Sequence, residues 1–243
     1  MAIYTISDLH GCKEEFDQLL KLISFSNYDE LYVIGDVCDR GKDPIGIYLE
    51  MMKHDNMHLI RGNHDQWFLQ YIDLLIEEKL HPGTVHMSDD MIRWTHLNGG
   101  LTTMDQFLEL DLPTCHEMKI YLEKSPFYQE LSIRGNKFLL VHAGLKQHCI
   151  PGVHIASVPI DELIWSHIGL DDNPFQDQMM IVGHIPTFIY GKEYDGHIIR
   201  RDLSKIYHID CGCCSGRNLG CLRLNDLQEF YIPSTYPYIA FAN

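Results

Sequence analysis

Short apolar runs, each followed by a polar loop that contains glycine, mark the first quarter of the chain. Residues 3–6, 31–34 and 57–60 have the length and apolar character of buried strands. Between the first two runs, residues 14–23 carry apolar side chains at helical spacing, and Pro44 opens a second helical stretch before the third run. Strands that alternate with helices predict β-α-β units.

Residues 67–124 lack this alternation, and we predict that they are mostly helical. Thr114 and Glu117 have the spacing of a capping box, and Asp65 is expected to cap a helix that begins at Gln66. No repeat or linker divides the chain. We therefore predict a single domain, residues 1–243, with 67–124 as a helical insertion over the active site. The predicted helical stretches are 67–80, around 91–108, and 114–124.

The remainder of the chain is predicted to be rich in strands. Residues 128–133 and 137–141 flank Arg134-Gly135-Asn136, which fits a three-residue hairpin turn. Residues 221–224 and 227–232 flank a second tight turn at Asn225-Asp226. Together with the first part of the chain, these hairpins predict an α/β fold in which two packed mixed β-sheets, a β-sandwich, are flanked by helices.

Polar side chains follow each of the first three predicted strands. The three segments are Asp8-Leu9-His10, Gly35-Asp36-Val37-Cys38-Asp39-Arg40-Gly41 and Gly62-Asn63-His64-Asp65. Because open α/β sheets collect ligands beyond the carboxyl ends of their strands, these loops are expected to converge. Carboxylate, carboxamide and imidazole ligands suit Mn²⁺, Fe or Zn²⁺ better than Ca²⁺.

In this order, the three segments resemble the motifs D-x-H, G-D-x-x-D-R-G and G-N-H-[DE] of the calcineurin-type metallophosphoesterases. Val141-His142-Ala143-Gly144 and Gly183-His184 each end an apolar run, where that family carries its last two histidine ligands. Arg40-Gly41, directly after the second aspartate of its motif, is similar to the Arg-Gly pair of the phosphoprotein phosphatase branch. Trp94 followed by Asn98-Gly99-Gly100 is similar to a signature of its compact bacterial members. The resemblance covers roughly residues 3–232 and implies the metallophosphoesterase fold.

The resemblance implies two divalent metal ions, with Mn²⁺ favoured and Fe or Zn²⁺ as alternatives. Considered singly, an aspartate after a strand is more often a helix cap, and a buried histidine is more often a hydrogen-bonded core residue. Combined with the three motifs, these residues become candidate ligands. The implied set is Asp8 and His10 on the first metal, Asp36 bridging both, and Asn63, His142 and His184 on the second.

The resemblance also implies the groups that act on the substrate. His64 would protonate the leaving group with Asp39 orienting its ring, and Arg40 and Asn63 would bind the substrate phosphate. A structural hydrogen-bonded pair is the alternative for Asp39 and His64, and a loop salt bridge is the alternative for Arg40. Relatives often carry a second arginine clamp two residues after a tryptophan, where this chain has His167.

The motifs and the resemblance are consistent with three functions. The lead is a serine/threonine protein phosphatase that hydrolyses phosphomonoesters by attack of a metal-bound hydroxide. The alternative from the same fold is a symmetrical bis(5'-nucleosyl)-tetraphosphate (diadenosine tetraphosphate) hydrolase, and the third is a non-catalytic metal-binding or redox-sensing scaffold. The expected substrate is therefore a phosphorylated protein or a small phosphorylated metabolite or dinucleotide.

Charge and hydropathy bound the partners. The 243 residues carry a net charge of −15, which disfavours a nucleic-acid duplex as partner, because duplex binding relies on clustered lysine and arginine. No apolar run approaches the ~20 residues needed to span a bilayer, so no membrane partner is expected. The amino terminus has no signal-peptide pattern, and a cytoplasmic location is predicted.

The Asn98-Gly99-Gly100 segment, the tryptophans and the cysteines leave questions open. Asn98-Gly99-Gly100 fits either a phosphate-facing loop or a helix end, and Trp67, Trp94 and Trp165 are expected in the core rather than as base-stacking platforms. Of the eight cysteines, Cys12 lies two residues after the first motif and Cys38 lies inside the second. Free thiols are favoured, with a zinc site or a redox switch as alternatives. The cysteines to which these alternatives apply are Cys211, Cys213, Cys214 and Cys221.

Overall fold

The structure is a computed structural model that describes residues 1–239; residues 240–243 of the predicted domain lie outside them. Ten strands in this part of the chain form two five-stranded sheets. The first sheet has the order β10-β9-β1-β2-β3, and the second has the order β4-β5-β6-β8-β7. The strands are β1 Ile3–Ser7, β2 Glu30–Ile34, β3 Met57–Ile60, β4 Tyr128–Ile133, β5 Asn136–Val141, β6 Gln178–Val182, β7 Ile199–Arg201, β8 Ile206–His208, β9 Asn218–Arg223 and β10 Gln228–Pro233.

Both sheets are mixed, with a parallel centre. In the first sheet β1, β2 and β3 are parallel, with Ser7 opposite Ile34 and Ile34 opposite Ile60. In the second sheet β5, β6 and β8 are parallel, while β4 and β7 are antiparallel edge strands. The carboxyl ends of each parallel set therefore lie at one edge of their sheet.

The two sheets pack face to face. Ile34 and Ile60 of the first sheet share a buried apolar cluster with Leu140 and Ile181 of the second. These four residues are 1% exposed or less, so water is excluded between the sheets. The predicted β-sandwich is confirmed.

Helices cover the outer face of each sheet. The first sheet packs its outer face against the helices Lys13–Leu22 and Pro44–Met52, with helices of the segment between β3 and β4 packed against the latter, and the second sheet packs against the helix Ile160–Trp165. Strands buried on both faces explain the nearly continuous apolar runs in the sequence. The helices are α1 Lys13–Leu22, α2 Pro44–Met52, α3 Asn63–Leu80, α4 Asp89–Ile92, α5 Leu101–Glu109, α6 Leu112–Lys124 and α7 Ile160–Trp165, with a π-helical turn at Arg93–Leu97. None of the helices in residues 1–239 has the length and hydropathy of a bilayer-spanning helix.

Two local predictions are wrong. The helix predicted to begin at Thr114 begins at Leu112, because the side chain of Asp111 accepts a hydrogen bond from Thr114 N and caps it. The hairpin between β4 and β5 turns on two residues instead of three. Arg134 and Gly135 have φ of 50° and 84°, the left-handed conformation that two-residue hairpin turns require.

The helical segment between β3 and β4 is confirmed as helical, but its internal bounds differ from those predicted. Helix α3 begins at Asn63, because the third motif also forms the first turn of that helix. The stretch predicted around 91–108 is divided into α4, the π-helical turn and α5. Asn98 ends the π-helical turn, and Gly99 has φ of 86°. π-Helical turns recur at functional sites, and this one lies next to the candidate site described below.

Candidate active site

Loops that leave β1, β2, β3, β5 and β6 meet at one edge of the sandwich. His10 N donates to Asp36 O at 2.8 Å, which joins the loops after β1 and β2. His142 Nδ1 lies 3.0 Å from Ile34 O and donates to it, since a carbonyl oxygen only accepts. The second sheet is thereby joined to the first through a side chain of the candidate site.

Asp65 joins the loops that follow β2 and β3. Its carboxylate accepts hydrogen bonds from the backbone N–H groups of Asp36 at 2.8 Å, Val37 at 3.0 Å and Gly62 at 2.8 Å, and from the Tyr48 hydroxyl. The side chain is fully buried, and burial together with the charge of Asp36 raises its pKa. The donors compensate for burying this carboxylate.

The predicted role of Asp65 as the cap of a helix beginning at Gln66 is therefore wrong. Helix α3 begins three residues earlier, at Asn63, so Asp65 lies inside its first turn. From there the carboxylate reaches back to Gly62 N and also across to the loop after β2. The sequence showed a capping residue type but could not show the second loop that it binds.

His10, Asp36 and His64 form the first cluster of donor atoms that could hold a metal ion, all within 4.8 Å of one another. His10 Nε2 lies 3.6 Å from Asp36 Oδ2. His10 Nδ1 donates to Cys38 O at 2.9 Å, which leaves the lone pair on Nε2. A ring held in one tautomer by such a bond is typical of metal-binding histidines.

Asp36, His142 and His184 form the second cluster, again with donor atoms within 4.8 Å. His142 Nε2 lies 3.4 Å from Asp36 Oδ2 and 3.0 Å from Asn63 Oδ1. Within residues 1–239, His184 Nε2 is buried and has no hydrogen-bond partner. A buried polar atom without a partner is costly, and a bound cation would satisfy this one.

Asp8 lies at the second cluster. Its Oδ2 accepts a hydrogen bond from His184 N at 3.0 Å, and burial raises its pKa to about 7. The family resemblance pairs Asp8 with His10, whereas the third donor beside His10 and Asp36 in the structure is His64. Five of the six implied ligands are nevertheless 4% exposed or less, and the sixth, His184, is partly buried.

The charge of Asp36 sets the protonation of its neighbours. Burial opposes ionisation of Asp36, but His142, His64 and His10 hold its pKa well below the usual range. Burial likewise opposes protonation of His142, yet Asp36 raises the pKa of His142 to about 10. Burial and the charge of His142 lower the pKa of His184 to about 3, so His184 is neutral and its lone pair is available.

Backbone strain is concentrated at this edge. Six non-glycine residues of the candidate site adopt the left-handed conformation, which side chains rarely occupy. Such strain persists where the surrounding structure imposes it, and it collects at functional sites. The six are Asp8 at φ 52°, His10 at 42°, Asp36 at 55°, Asp39 at 70°, Arg40 at 65° and His184 at 66°.

Asp39 and His64 form a buried pair next to the first cluster. His64 Nδ1 donates to Asp39 Oδ2 at 2.6 Å. Trp94 Nε1 donates to the same oxygen at 2.8 Å, and the Thr103 hydroxyl donates to Oδ1 at 2.7 Å. Asp39 is fully buried, so these donors fix the carboxylate, and the carboxylate fixes the imidazole. The helical segment thus supports the site directly through Trp94 and Thr103.

Arg40 lies at the mouth of the site with its guanidinium between two imidazoles. Nη1 donates to His10 Nε2 at 2.9 Å, and Nη2 donates to His64 Nε2 at 3.0 Å. Arg40 N donates to Gly99 O at 2.9 Å, and a side chain at Gly99 would meet Arg40 backbone atoms at 2.8 Å. The Asn98-Gly99-Gly100 segment therefore both ends a helical turn and supports the backbone of Arg40.

The tryptophans are not all in the core. Trp94 is fully buried, as predicted, but Trp165 is 41% exposed because it ends α7 at the protein surface. The Trp165 and Trp67 rings are 4.9 Å apart. Trp67 lies 5.5 Å from the His64 ring, and Trp165 lies 6.2 Å from the His184 ring. The prediction that Trp165 is a core residue is wrong.

His167, which replaces the second arginine clamp of relatives, and Asp210, which was not singled out from the sequence, also lie at the site. The ring of His167 lies 5.6 Å from that of His184, at the position where relatives often carry an arginine. Asp210 is 4% exposed, its Oδ1 accepts from Gly212 N at 2.9 Å, and burial and Asp8 raise its pKa well above the usual range. Its position just after the apolar run at 206–209 was a signal that could have identified it.

The sandwich, the converging loops and the strained donor residues define a phosphoesterase of the calcineurin-like class. Residues 1–216 match the family model described as "Calcineurin-like phosphoesterase", and the chain belongs to this family.

Within the family, the chain is similar to bacterial proteins named "Bis(5'-nucleosyl)-tetraphosphatase, symmetrical". The Chromobacterium violaceum protein is 31% identical over 147 residues, which is 60% of this chain and 44% of the relative. The Haemophilus ducreyi protein is 46% identical over 68 residues, 27% of this chain and 25% of the relative. The matched part of the chain thus spans less than half the length of these relatives.

Solved structures share the fold. A crystal structure described as that of a candidate diadenosine tetraphosphatase has a TM-score of 0.66 at 17% identity, covering 96% of this chain and 93% of the other. A serine/threonine protein phosphatase from Saccharomyces cerevisiae has a TM-score of 0.57 at 16% identity, with coverage of 92% and 72%. Identities this low establish the architecture and leave the substrate open.

Proposed function

We propose that this protein is a two-metal phosphoesterase that splits bis(5'-nucleosyl)-tetraphosphates symmetrically into two nucleoside diphosphates. The names of the curated relatives support this alternative over the serine/threonine protein phosphatase that was the lead from sequence. The observation in the structure that carries the proposal is the aromatic pair Trp67 and Trp165 at the mouth of the site.

This pair suits a substrate with a planar base. Trp165 is partly exposed, and it borders a cleft of ≈ 550 Å³ that is also lined by Lys146 and His167. Stacking of a base on an aromatic side chain contributes roughly 1–3 kcal/mol. Asp161 and Glu162 also line the cleft and offset the charge of Lys146, so the argument rests on the indole. A phosphoserine side chain has no ring for Trp165 to contact.

The donor atoms fit two divalent ions. Asp36 belongs to both clusters, and the unpartnered His184 Nε2 is a buried donor that a cation would satisfy. Carboxylate, carboxamide and imidazole donors suit Mn²⁺, our proposed metal, and also Fe or Zn²⁺. When bound, two such ions lower the pKa of a water molecule and neutralise phosphoryl oxygens. The proposed ligands are Asp8, His10, Asp36, Asn63, His142 and His184.

The remaining polar groups act on the phosphate and the leaving group. Arg40 can turn its planar fork from the two imidazoles to two phosphoryl oxygens, and the Asn63 carboxamide lies beside the second cluster. Water adds to one central phosphorus atom and the bridging P–O bond breaks. The released nucleoside diphosphate takes the proton from His64 Nε2, the proton lost by the attacking water returns to the imidazole, and Asp39 keeps the ring oriented.

Kinetics with two substrates tests the proposal. With Mn²⁺ added, we expect kcat/KM for diadenosine tetraphosphate to exceed that for a phosphoserine peptide by at least about tenfold, the factor that ~1.4 kcal/mol of base contact supplies. ADP should be the only nucleotide product. A preference for the phosphopeptide, or ATP and AMP as products, contradicts the proposal. No hydrolysis of a chromogenic phosphomonoester would favour the non-catalytic scaffold.

Trp165→Ala isolates the base contact. We expect KM for diadenosine tetraphosphate to rise by about tenfold, because the indole face is lost, while KM for a phosphoserine peptide, which has no ring to stack, changes little. Tyr28→Ala is the matched control, since Tyr28 is 82% exposed and is not part of the cleft. An equal change for both substrates would remove the base-stacking argument.

The domain organisation and the location stay proposals. Contacts from Trp94, Thr103 and Gly99 to the loop after β2 support treating the helical segment as an insertion into one domain. The cytoplasmic location and the absence of membrane and nucleic-acid partners rest on the sequence.

A further inference from the structure

A second group of buried donor atoms lies next to the loop that carries His10. Cys12, Glu15 and Cys213 bring two sulfur atoms and a carboxylate oxygen within 4.8 Å of one another. Each of the three residues is 2% exposed or less. The Cys12 thiol also interacts with the thiol of Cys214, whose sulfur lies beside this group of three. None of the eight cysteines forms a disulfide in residues 1–239.

Local backbone geometry brings these side chains together. Cys12 precedes the first residue of α1, and Glu15 lies in its first turn. Cys213 begins a short 3₁₀ turn that is flanked by Gly212 and Gly216, with φ of 74° and 78°. Glycine adopts this left-handed conformation at little cost, and the two glycines reverse the chain so tightly that adjacent cysteines both face Cys12.

Glu15 has a buried carboxylate, and only one of its two oxygens accepts hydrogen bonds within the described residues. Oε1 accepts hydrogen bonds from Thr235 N at 2.6 Å and from the Thr235 hydroxyl at 2.7 Å. Oε2 is buried and has no hydrogen-bond partner within residues 1–239. Burying a carboxylate oxygen without a partner is costly, and buried charges are normally paired or coordinate a metal. Nothing in the proposed hydrolysis uses this group.

We propose that Cys12, Glu15 and Cys213 bind one Zn²⁺ ion, with Cys214 as the fourth donor. Two or three sulfur atoms and a carboxylate are ligands that zinc accepts in a closed tetrahedral site. At zinc–sulfur distances of ~2.3 Å, tetrahedral ligands lie about 3.8 Å apart, so Cys12, Glu15 and Cys213 have to approach one another only slightly, while the Cys214 side chain has to turn towards them. Each thiol that binds releases its proton to solvent, so the affinity rises with pH.

Such a site would stabilise the loop that positions His10. It would join the start of α1 to the turn at Cys213, and through Glu15 to Thr235 near the end of the described chain. We therefore expect the bound ion to raise the thermal midpoint of unfolding, since it binds the folded arrangement and not the dispersed ligands. The ion is distinct from those proposed for the active site, whose donors are oxygen and nitrogen.

Cobalt titration of the full chain tests the proposal. The protein is stripped of metal, kept reduced with a phosphine, and titrated with Co²⁺ alone. Thiolate ligands give an intense sulfur-to-cobalt charge-transfer band in the near ultraviolet, which oxygen and nitrogen donors do not give. We expect this band to appear and Zn²⁺ to abolish it; in Asp36→Asn, which is expected to lose the competing catalytic ions, it should saturate at one equivalent. Asp36→Asn should retain it, which separates this site from the proposed catalytic metals.

Variants locate the ligands. Cys213→Ser should lose most of the band, whereas Cys149→Ser, a half-buried cysteine outside the cluster, should keep it. Glu15→Gln keeps an acceptor for Thr235 but removes the carboxylate, and it should weaken Co²⁺ binding by at least about tenfold. Circular dichroism checks the fold; if Cys213→Ser does not fold, Glu15→Gln and Cys149→Ser decide.

Two results would overturn the proposal. One is the absence of the charge-transfer band from the reduced wild-type protein, which would leave the thiols as core residues or as a disulfide-forming pair. The other is a band of unchanged strength and affinity in both Cys213→Ser and Glu15→Gln. Either result leaves the proposed phosphoesterase function untouched.

Discussion

The two sheets contribute to the candidate active site in different ways. The first sheet supplies three compact loops that carry the Asp8 and Asp36 carboxylates and most of the strained residues. Asp65 joins the loops after β2 and β3, and the hydrogen bond from His10 N to Asp36 O joins the loops after β1 and β2. The second sheet supplies two single histidines. His142 reaches across to Ile34 O, and His184 N binds Asp8. One sheet is therefore a preformed loop assembly, and the other completes it from the opposite side.

The first sheet supplies the one negatively charged residue that both donor clusters share. Asp36, from the first sheet, is the single residue shared by both donor clusters. The histidines of the second sheet touch only one cluster. We expect changes to Asp36 to affect the whole centre, changes to His64 to affect proton transfer alone, and changes to His142 to affect one side.

Asp36→Asn is expected to have the largest effect. Loss of the shared carboxylate should remove both metal ions and lower kcat/KM by at least about a thousandfold, equivalent to ~4 kcal/mol of transition-state stabilisation. Metal analysis of the dialysed protein and steady-state kinetics measure this. Asp73→Asn is the matched control, because Asp73 is exposed and pairs with Lys119. A fully metallated, active Asp36→Asn protein would contradict the shared role.

His64→Asn is expected to have the next largest effect, without loss of metal. Turnover of a phosphomonoester with a basic leaving group should fall by about a hundredfold, since general acid catalysis contributes 10²–10⁴. The fall should be smaller for diadenosine tetraphosphate, whose leaving diphosphate is less basic. His81→Asn, at an exposed position, is the control. Equal losses for both substrates would show that His64 is not the proton donor.

The smallest effect is a pH dependence of stability in the metal-free protein. Asp36 raises the pKa of His142 to about 10, so the folded chain retains a proton that the unfolded chain loses near pH 6.5. The stabilisation that this proton provides is therefore fully present below pH 6.5, and it is lost as the pH rises from 6.5 to about 10. Between pH 7 and 8 the free energy of unfolding should fall by about 1 kcal/mol because of this group.

Urea unfolding in the presence of a chelator measures this slope. His142→Asn should reduce the slope, while the unfolded cysteines, which begin to lose protons below pH 8, contribute equally to the slopes of both proteins. A slope that is identical in the variant and the wild type would show that the Asp36–His142 interaction is not the cause.

The first sheet could be predicted from the sequence because its information is local. Each strand is a short apolar run, and its donors follow within a few residues, as with Asp8 after β1 and Asp36 after β2. The two single histidines carry little local information, and only the family resemblance selected His142 and His184 from the 15 histidines of the chain.

The supporting contacts could not be predicted, because they join residues far apart in the chain. Thr103 and Trp94 bind Asp39 across 64 and 55 positions, and nothing in their own neighbourhoods indicates that partner. The π-helical turn that brings Trp94 to Asp39 has no signature in the spacing of apolar residues. Asp65 was misassigned for the same reason, since its residue type suits a cap and its second partner lies in another loop.

Anomalous diffraction from crystals saturated with Mn²⁺ tests the central claim most directly. The account predicts two manganese peaks on either side of the Asp36 carboxylate, one next to His10 and the other between His142 and His184. A single peak away from Asp36, or these side chains directed apart with no metal between them, would contradict it.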